Sequence, residues 1–220
     1  MTPLLQQLQL LQQHEITHTD IKHKNCCLAD TEHYVAEGSL ILTQPPAAKL
    51  IDYGNAVREG EAKAHPIHTK QFRAPEVLLN CVHPWGPPSD VWTLGITAAY
   101  LVSGQLIFNS HDPGELVRLM VEALGPFPAK LLADAREGRL KREAEAAARG
   151  GQKPRLKEWL GLGASEVEGR CADLLQRMLA VDPTERITPA EALKHPFVAK
   201  ELAVPQRPAG AELKTLSGRP

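Results

Sequence analysis

The sequence predicts a mainly α-helical domain in which short β-hairpins frame a polar loop near its N-terminal end. Three observations carry this. Residues 90–103 are apolar nearly all round (Val91, Trp92, Leu94, Ile96, Ala98, Tyr100, Leu101), the mark of a helix buried at the centre of a domain. Amphipathic segments with clear start and stop signals follow it, whereas segments of strand character are only a few residues long. At 220 residues, with 43% hydrophobic and 23% charged residues, the chain can bury one sizeable core.

Taken in order, Leu4, Leu5, Leu8 and Leu11 fall at helical spacing and predict an amphipathic helix over residues 3–13. A polar, histidine-rich loop, 14–25, comes next. Residues 26–28 and 49–51 read as short strands, with an inserted hairpin between them (34–35 and 39–43) turning at Glu37-Gly38. Residues 55–71 are polar and aperiodic, which predicts a surface loop of functional size. Beyond the central helix, 113–124 is amphipathic and stops at Gly125-Pro126. The charged, alanine-rich stretch 133–149 reads as a single solvated helix broken at Gly150-Gly151. Helices over 167–179 and 189–193 complete the set, the last opened by Thr188 with Glu191 at capping-box spacing. The folded domain is expected to span 1–199, with 200–220 a disordered tail.

A net charge of −1 speaks against a general nucleic-acid binder, so no direct nucleic-acid partner is expected. No apolar run reaches the roughly 20 residues that a membrane span needs. The first residues lack the basic start of a signal peptide. Four cysteines (Cys26, Cys27, Cys81, Cys171) without a C-x-x-C pair fit a reduced intracellular compartment, nucleus or cytoplasm.

Two chemistries compete for the same histidines. His14-Glu15-Ile16-Thr17-His18 matches H-E-x-x-H, in which two histidines one helical turn apart bind zinc and the glutamate activates water. That reading needs an unbroken helix and a third ligand. The leucine pattern stops here, however, and Lys24 stands where a third histidine would be wanted. The second reading takes His18-Thr19-Asp20-Ile21-Lys22-His23-Lys24-Asn25 as a phosphoryl-transfer loop. A carboxylate orients a hydroxyl, a lysine two residues on neutralises phosphate charge, and an amide five residues on holds a metal ion. Downstream stand Asp52-Tyr53-Gly54 after a short apolar strand, Arg73-Ala74-Pro75-Glu76, Ser89-Asp90-Val91-Trp92, and Asp182-Pro183-Thr184-Glu185-Arg186-Ile187-Thr188.

In this order the five elements resemble the C-terminal lobe of a protein kinase: catalytic loop, D-F-G, A-P-E, the opening of the central helix, and the segment whose arginine meets the A-P-E glutamate. The resemblance covers roughly residues 4–197. It is finest to the LAMMER, or CDC-like, kinases of the CMGC group. That likeness is carried by His18-Thr19-Asp20, Thr69-Lys70-Gln71-Phe72-Arg73, His111-Asp112 with Glu115 and Met120 leading to Leu124-Gly125-Pro126, Lys157-Glu158-Trp159-Leu160, and His195-Pro196-Phe197.

The resemblance implies a protein serine/threonine kinase using ATP and Mg2+ on a protein substrate, in the LAMMER case one rich in Arg and Ser. It makes Asp20 the catalytic base, Lys22 the phosphate-side lysine, and Asn25 and Asp52 the magnesium ligands. Thr69 would join the Asp20–Lys22 network, and Cys27 would lie under the adenine. His18 and Tyr53 would be packing residues, Asp90 a brace for the catalytic loop, and Glu76 with Arg186 a buried ion pair. His23, where proline is usual, is expected to be solvated. Thr19 replaces an arginine that usually pairs with activation-segment phosphate, so none is expected to be needed. The sequence contains no G-x-G-x-x-G loop and no V-A-I-K lysine. The expectation is therefore a C-lobe truncated at its N-terminus, whose partner is the missing N-lobe. A pseudokinase or interaction module, inactive as this chain, is the competing expectation.

Overall fold

The computed structural model describes residues 1–28, 32–36, 39–42, 48–61, 67–82, 85–151, 153–199 and 214–215, with the backbone alone in 32–36, 39–42 and 214–215. In chain order these form α1 (Thr2–Gln13), β1 (Ile16–Thr17), β2 (Cys26–Leu28), β3 (Glu32–Ala36), β4 (Ser39–Leu42), β5 (Ala48–Leu50) and β6 (Val57–Arg58). Then come α2 (Pro75–Leu78), α3 (Pro87–Ser103), α4 (Pro113–Leu124), α5 (Ala129–Asp134), α6 (Gly138–Ala148), α7 (Leu156–Trp159), α8 (Glu166–Met178), α9 (Pro189–Lys194), α10 (Pro196–Ala199) and β7 (Lys214–Thr215).

The reason α3 is apolar nearly all round is that it serves two cores. Trp92, Ile96 and Ala99 join one cluster with Phe108, Met120, Leu175 and Leu179; Val91 and Leu94 join the other with Leu4, Leu5, Leu8 and Met178. Trp92 stacks on Phe108 with ring centroids 6.0 Å apart. The leucine face of α1 lies on this second cluster. Its polar face is used as well: the Gln7 side chain donates to Ala48 O and accepts from Leu50 N, both at 2.9 Å, tying α1 to the edge of β5.

Helix ends follow their sequence signals. Asp112 caps α4 by accepting from Glu115 N (2.8 Å), and α4 ends at Gly125, whose φ of 96° only glycine adopts freely. Both Ser165 with Glu168 and Thr188 with Glu191 form complete capping boxes.

One helix expectation is corrected. Residues 133–149 are not a single solvated helix, because the chain leaves helix after Asp134 to pair with the segment following α2. Val82 N donates to Asp134 O (2.9 Å) and Glu137 N to Leu79 O (3.1 Å), and Cys81 bridges Ala135. Helix α6 then starts afresh at Gly138 and buries Leu140 and Ala144 against the larger core.

The strands are short antiparallel pairs: β1 with β6, β2 with β5 in the register Cys26↔Leu50, and β3 with both β4 and β7. The Glu37-Gly38 turn lies outside the described residues. So does the tail expected to be disordered, except 214–215, which pairs with β3. Among the described residues no helix is long and apolar enough to cross a membrane. All four cysteines are free thiols.

Candidate active site

The loop between β1 and β2 is held from below by one carboxylate. Asp90, in the first turns of α3 and 1% exposed, accepts the His18 N–H at Oδ2 (2.6 Å) and the Thr19 N–H at Oδ1 (3.0 Å). Burial pushes its carboxyl up to about 7, against the pull of those two donors. His18 is wholly buried. Its Nδ1 accepts the Asp20 N–H (3.4 Å) and its Nε2 faces the Ile51 carbonyl (3.1 Å), which places the ring proton on Nε2. Burial holds this imidazole below its ordinary range, and the Ile51 carbonyl offsets only part of that. It is a packing group, 4.7 Å from the Tyr53 ring.

With the backbone so fixed, four polar side chains meet. Asp20 Oδ1 accepts from Thr69 Oγ1 (2.9 Å), and Asp20 Oδ2 lies 2.6 Å from Lys22 Nζ. Lys22 also donates to Thr69 Oγ1 (3.1 Å), closing a triangle across 47 residues of sequence. Asn25 is buried and donates from Nδ2 to the Asp20 carbonyl (2.8 Å), which turns its own Oδ1 the other way. Asp52 stands beside Asn25 because the Ile51 N–H donates to Asn25 O (3.0 Å) and continues the β2–β5 ladder. Its backbone is left-handed (φ 68°, ψ 63°), and its exposed carboxylate meets no donor among the described residues.

Farther off, Glu76 and Arg186 form a buried bidentate pair at 2.9 and 3.0 Å. Cys27 is exposed on β2, while its neighbour Cys26 is half-buried and its thiol is pushed up to about 11 by burial.

The zinc reading is overturned. Helix α1 stops at Gln13, Glu15 takes a left-handed φ of 56°, and Ile16–Thr17 are extended. His14 and His18 are therefore not one helical turn apart, and both ring nitrogens of His18 are engaged. Among the described residues no three His, Cys, Asp or Glu side chains converge on a metal position. His23 is corrected too. It is half-buried, its ring packs 4.7 Å from Tyr100 and 6.0 Å from Phe72, and its buried Nδ1 has no hydrogen-bond partner among the described residues.

Sequence reasoning missed His68. Its N–H donates to Thr19 O (2.9 Å), its Nδ1 accepts from Ala74 N (3.3 Å), and it sits at φ 69° beside Thr69. Burial, with Arg73 and Arg186 nearby, holds it neutral. Nothing in its local sequence signals a left-handed, buried histidine.

Comparison with known proteins agrees with this geometry. The protein kinase domain family model matches residues 1–198. The serine/threonine-protein kinase AFC2 of Arabidopsis thaliana is 31% identical over 207 residues, covering 83% of this chain and 48% of that protein. The dual specificity protein kinase CLK2 of Homo sapiens is 31% identical over 220 residues, covering 92% of this chain and 43% of that protein. The chain thus spans about half the length of the curated relatives it matches. A solved crystal structure of a kinase domain superposes with a TM-score of 0.66 at 29% identity, over 89% of this chain and 63% of that one.

Proposed function

The chain belongs to the protein kinase family, and on that premise we propose that it carries the phosphoryl-transfer floor of a serine/threonine kinase, with Asp20 as the group that receives the substrate hydroxyl. The observation that supports this most is the triangle of Asp20, Lys22 and Thr69. Thr69 and Lys22 each take one Asp20 oxygen, which locks the carboxylate in one rotamer. Oδ2 also takes a longer bond from Asn25 Nδ2 (3.4 Å), whereas Oδ1 keeps a further lone pair with which Asp20 can still accept a serine or threonine O–H. Lys22, already 2.6 Å from Asp20, places a positive charge where a transferring phosphoryl group would arrive.

Protein kinases use ATP and Mg2+, and the residues here suit both. Magnesium takes oxygen ligands, commonly one or two from protein with the rest from phosphates and water. The Asn25 Oδ1 and the Asp52 carboxylate, which meets no donor among the described residues, are two such oxygens on adjacent strand ends. Bound there, the ion supplies charge neutralisation for the phosphates. Cys27, exposed on the same small sheet, is the floor residue for adenine in this reading.

His18, Tyr53 and Asp90 shape the loop, and Glu76 with Arg186 holds the far end of the segment. Serine in arginine-rich segments is the substrate that the LAMMER resemblance implies, and it calls for carboxylates beside Asp20; exposed Lys24 and Lys70, next in sequence to Asn25 and Thr69, do not favour it.

The test is phosphate transfer from Mg-ATP to serine peptides by wild type and Asp20→Asn, in this chain and in any longer form of it. The variant keeps the shape of the side chain but weakens its ability to take a proton. Its rate should fall by about 100-fold or more, the usual worth of a positioned general base. Equal rates in the two proteins would remove Asp20 from the chemistry. Folded protein without transfer in either would favour the interaction-module reading.

A further inference from the structure

We propose that the peptide taken by this site is acidic: a serine or threonine flanked by negatively charged side chains, with Lys24 and Lys70 as the residues that select it. The inference rests on the kinase reading above and adds the substrate class.

The two segments that meet at Asp20 and Thr69, residues 18–25 and 67–73, carry Lys22, Lys24, Lys70 and Arg73 against a single carboxylate, Asp20. Two of these cations are used internally. Lys22 bonds Asp20 and Thr69, and half-buried Arg73 donates to the carbonyls of Ile67 (3.1 Å) and His68 (3.2 Å). Lys24 and Lys70 are exposed, and neither pairs with a carboxylate among the described residues. Each stands next to a member of the central network, Lys24 beside Asn25 and Lys70 beside Thr69.

The two segments meet at Thr69, whose hydroxyl accepts from Lys22 (3.1 Å) and donates to Asp20 (2.9 Å), with exposed Lys70 next to Thr69 and exposed Lys24 two residues past Lys22. A peptide that placed its hydroxyl on Asp20 would have these two segments as its nearest protein surface.

The surrounding acids do not cancel this charge. Gln71 contacts His111 (3.1 Å), and the carboxylates that follow His111 are matched: Asp112 by Arg139 at 3.6 Å, Glu115 by Arg118. Glu61 is turned onto the Arg58 amide (3.0 Å). Asp52 is assigned to the metal. An arginine-flanked peptide would bring like charge to two lysines that lack a carboxylate partner among the described residues, whereas aspartate, glutamate or phosphoserine would meet them with opposite charge.

The experiment is fluorescence anisotropy of the purified 220-residue chain with serine-centred peptides of one length, flanked by Asp/Glu, by phosphoserine, or by Arg. Exposed ion pairs are each worth a few-fold in affinity, so two of them should favour the anionic peptides by about tenfold over the Arg peptide at low salt. The gap should close as salt rises, because exposed charges are screened. Comparing the Asp/Glu and phosphoserine peptides shows which anion is preferred. Lys24→Glu with Lys70→Glu should cancel or reverse the preference while circular dichroism stays unchanged, both side chains being exposed.

Equal binding of all peptides, tighter binding of the Arg peptide, no detectable binding at low salt, or a preference that survives the double reversal would each overturn the proposal. Asp20→Asn should keep the anionic preference. Loss of the kinase reading, seen as phosphate transfer indifferent to Asp20→Asn, is thus read separately from loss of this one.

Discussion

Replacing Arg186 with alanine removes more from this protein than one ion pair. The Arg186 side chain is fully buried and Glu76 nearly so, with 0% and 5% exposure. The guanidinium gives two bonds to Glu76 (2.9 and 3.0 Å), one to the Pro88 carbonyl (2.8 Å) and one to the Ala180 carbonyl (3.1 Å). It also lies 5.2 Å above the Trp92 ring. In Arg186→Ala the dominant loss is the buried Glu76 carboxylate left without a counter-charge, about 3–5 kcal/mol. The two carbonyls and the ring contact add to this, and water entering the space left behind takes some back. Against a total stability of about 5–15 kcal/mol, a loss of that size would leave the protein marginal. The assay is urea unfolding followed by circular dichroism, with a double-mutant cycle. Arg186→Lys should recover only part of the loss, because an ammonium cannot make the bidentate contact. Glu76→Leu with Arg186→Met should be clearly more stable than Arg186→Ala, since it leaves no charge stranded. A loss well under 1 kcal/mol for Arg186→Ala, or a double variant no better than the single one, would refute the reasoning.

Asp90→Asn should cost about 1–3 kcal/mol, because its new NH2 must face one of the two backbone donors that the carboxylate accepts. It should also flatten a pH slope. With its folded carboxyl raised to about 7, native Asp90 holds a proton that the unfolded chain has released, so its contribution to stability falls as pH rises from about 4 through 7. Unfolding midpoints across that window in wild type and variant would show it. Gly95→Ala adds a Cβ only 3.0 Å from Leu179 Cδ2 and 3.1 Å from Met178 Cβ. Overpacking of about 1–3 kcal/mol outweighs a helix-propensity gain of about 1 kcal/mol, so thermal unfolding should come earlier. Thr188→Ala breaks the capping box at α9 and should cost about 1 kcal/mol in the same assay.

What was legible in the sequence was mainly what chemistry or helix periodicity spaces regularly. In the proposed reading the interval from Asp20 to Asn25 and the later Asp52 belong together, because phosphoryl transfer needs a carboxylate, a lysine and metal-binding oxygens at one place. The structure brings them to adjacent strand ends. Helices α4, α8 and α9 could be read from caps and apolar faces. The break at 135–137 could not, because it comes from backbone bonds to 79–82, more than fifty residues earlier in the chain. The same holds for His23, whose surroundings are built by Phe72 and Tyr100. H-E-x-x-H misleads for a related reason: four-residue spacing has meaning only where the chain stays helical, and here it turns left-handed at Glu15.

The loop geometry at Asp20 depends on strain that the core absorbs. Thr19, a β-branched residue, sits at φ 73°, a left-handed conformation that costs roughly 1–2 kcal/mol. Three parts of the chain hold it there. Its N–H goes to Asp90 (3.0 Å), its Oγ1 donates to the Asn55 carbonyl (2.9 Å), and its own carbonyl accepts from His68 N (2.9 Å). The bond to a charged acceptor is worth about 1.5–3 kcal/mol and the neutral ones about 1 kcal/mol each, so together they exceed the strain. Asp90 is held in its buried place by α3, which contributes side chains to both apolar clusters, and by the His18 and Thr19 N–H groups it accepts. Burial along α3 therefore fixes the carboxylate, the carboxylate fixes the backbone of residues 18 and 19, and that backbone presents Asp20 to Lys22 and Thr69. The same Thr19 carbonyl positions His68, and with it the Thr69 hydroxyl from the other segment. A change in the α3 core would therefore reach the triangle through Asp90 before it reached any residue that touches substrate.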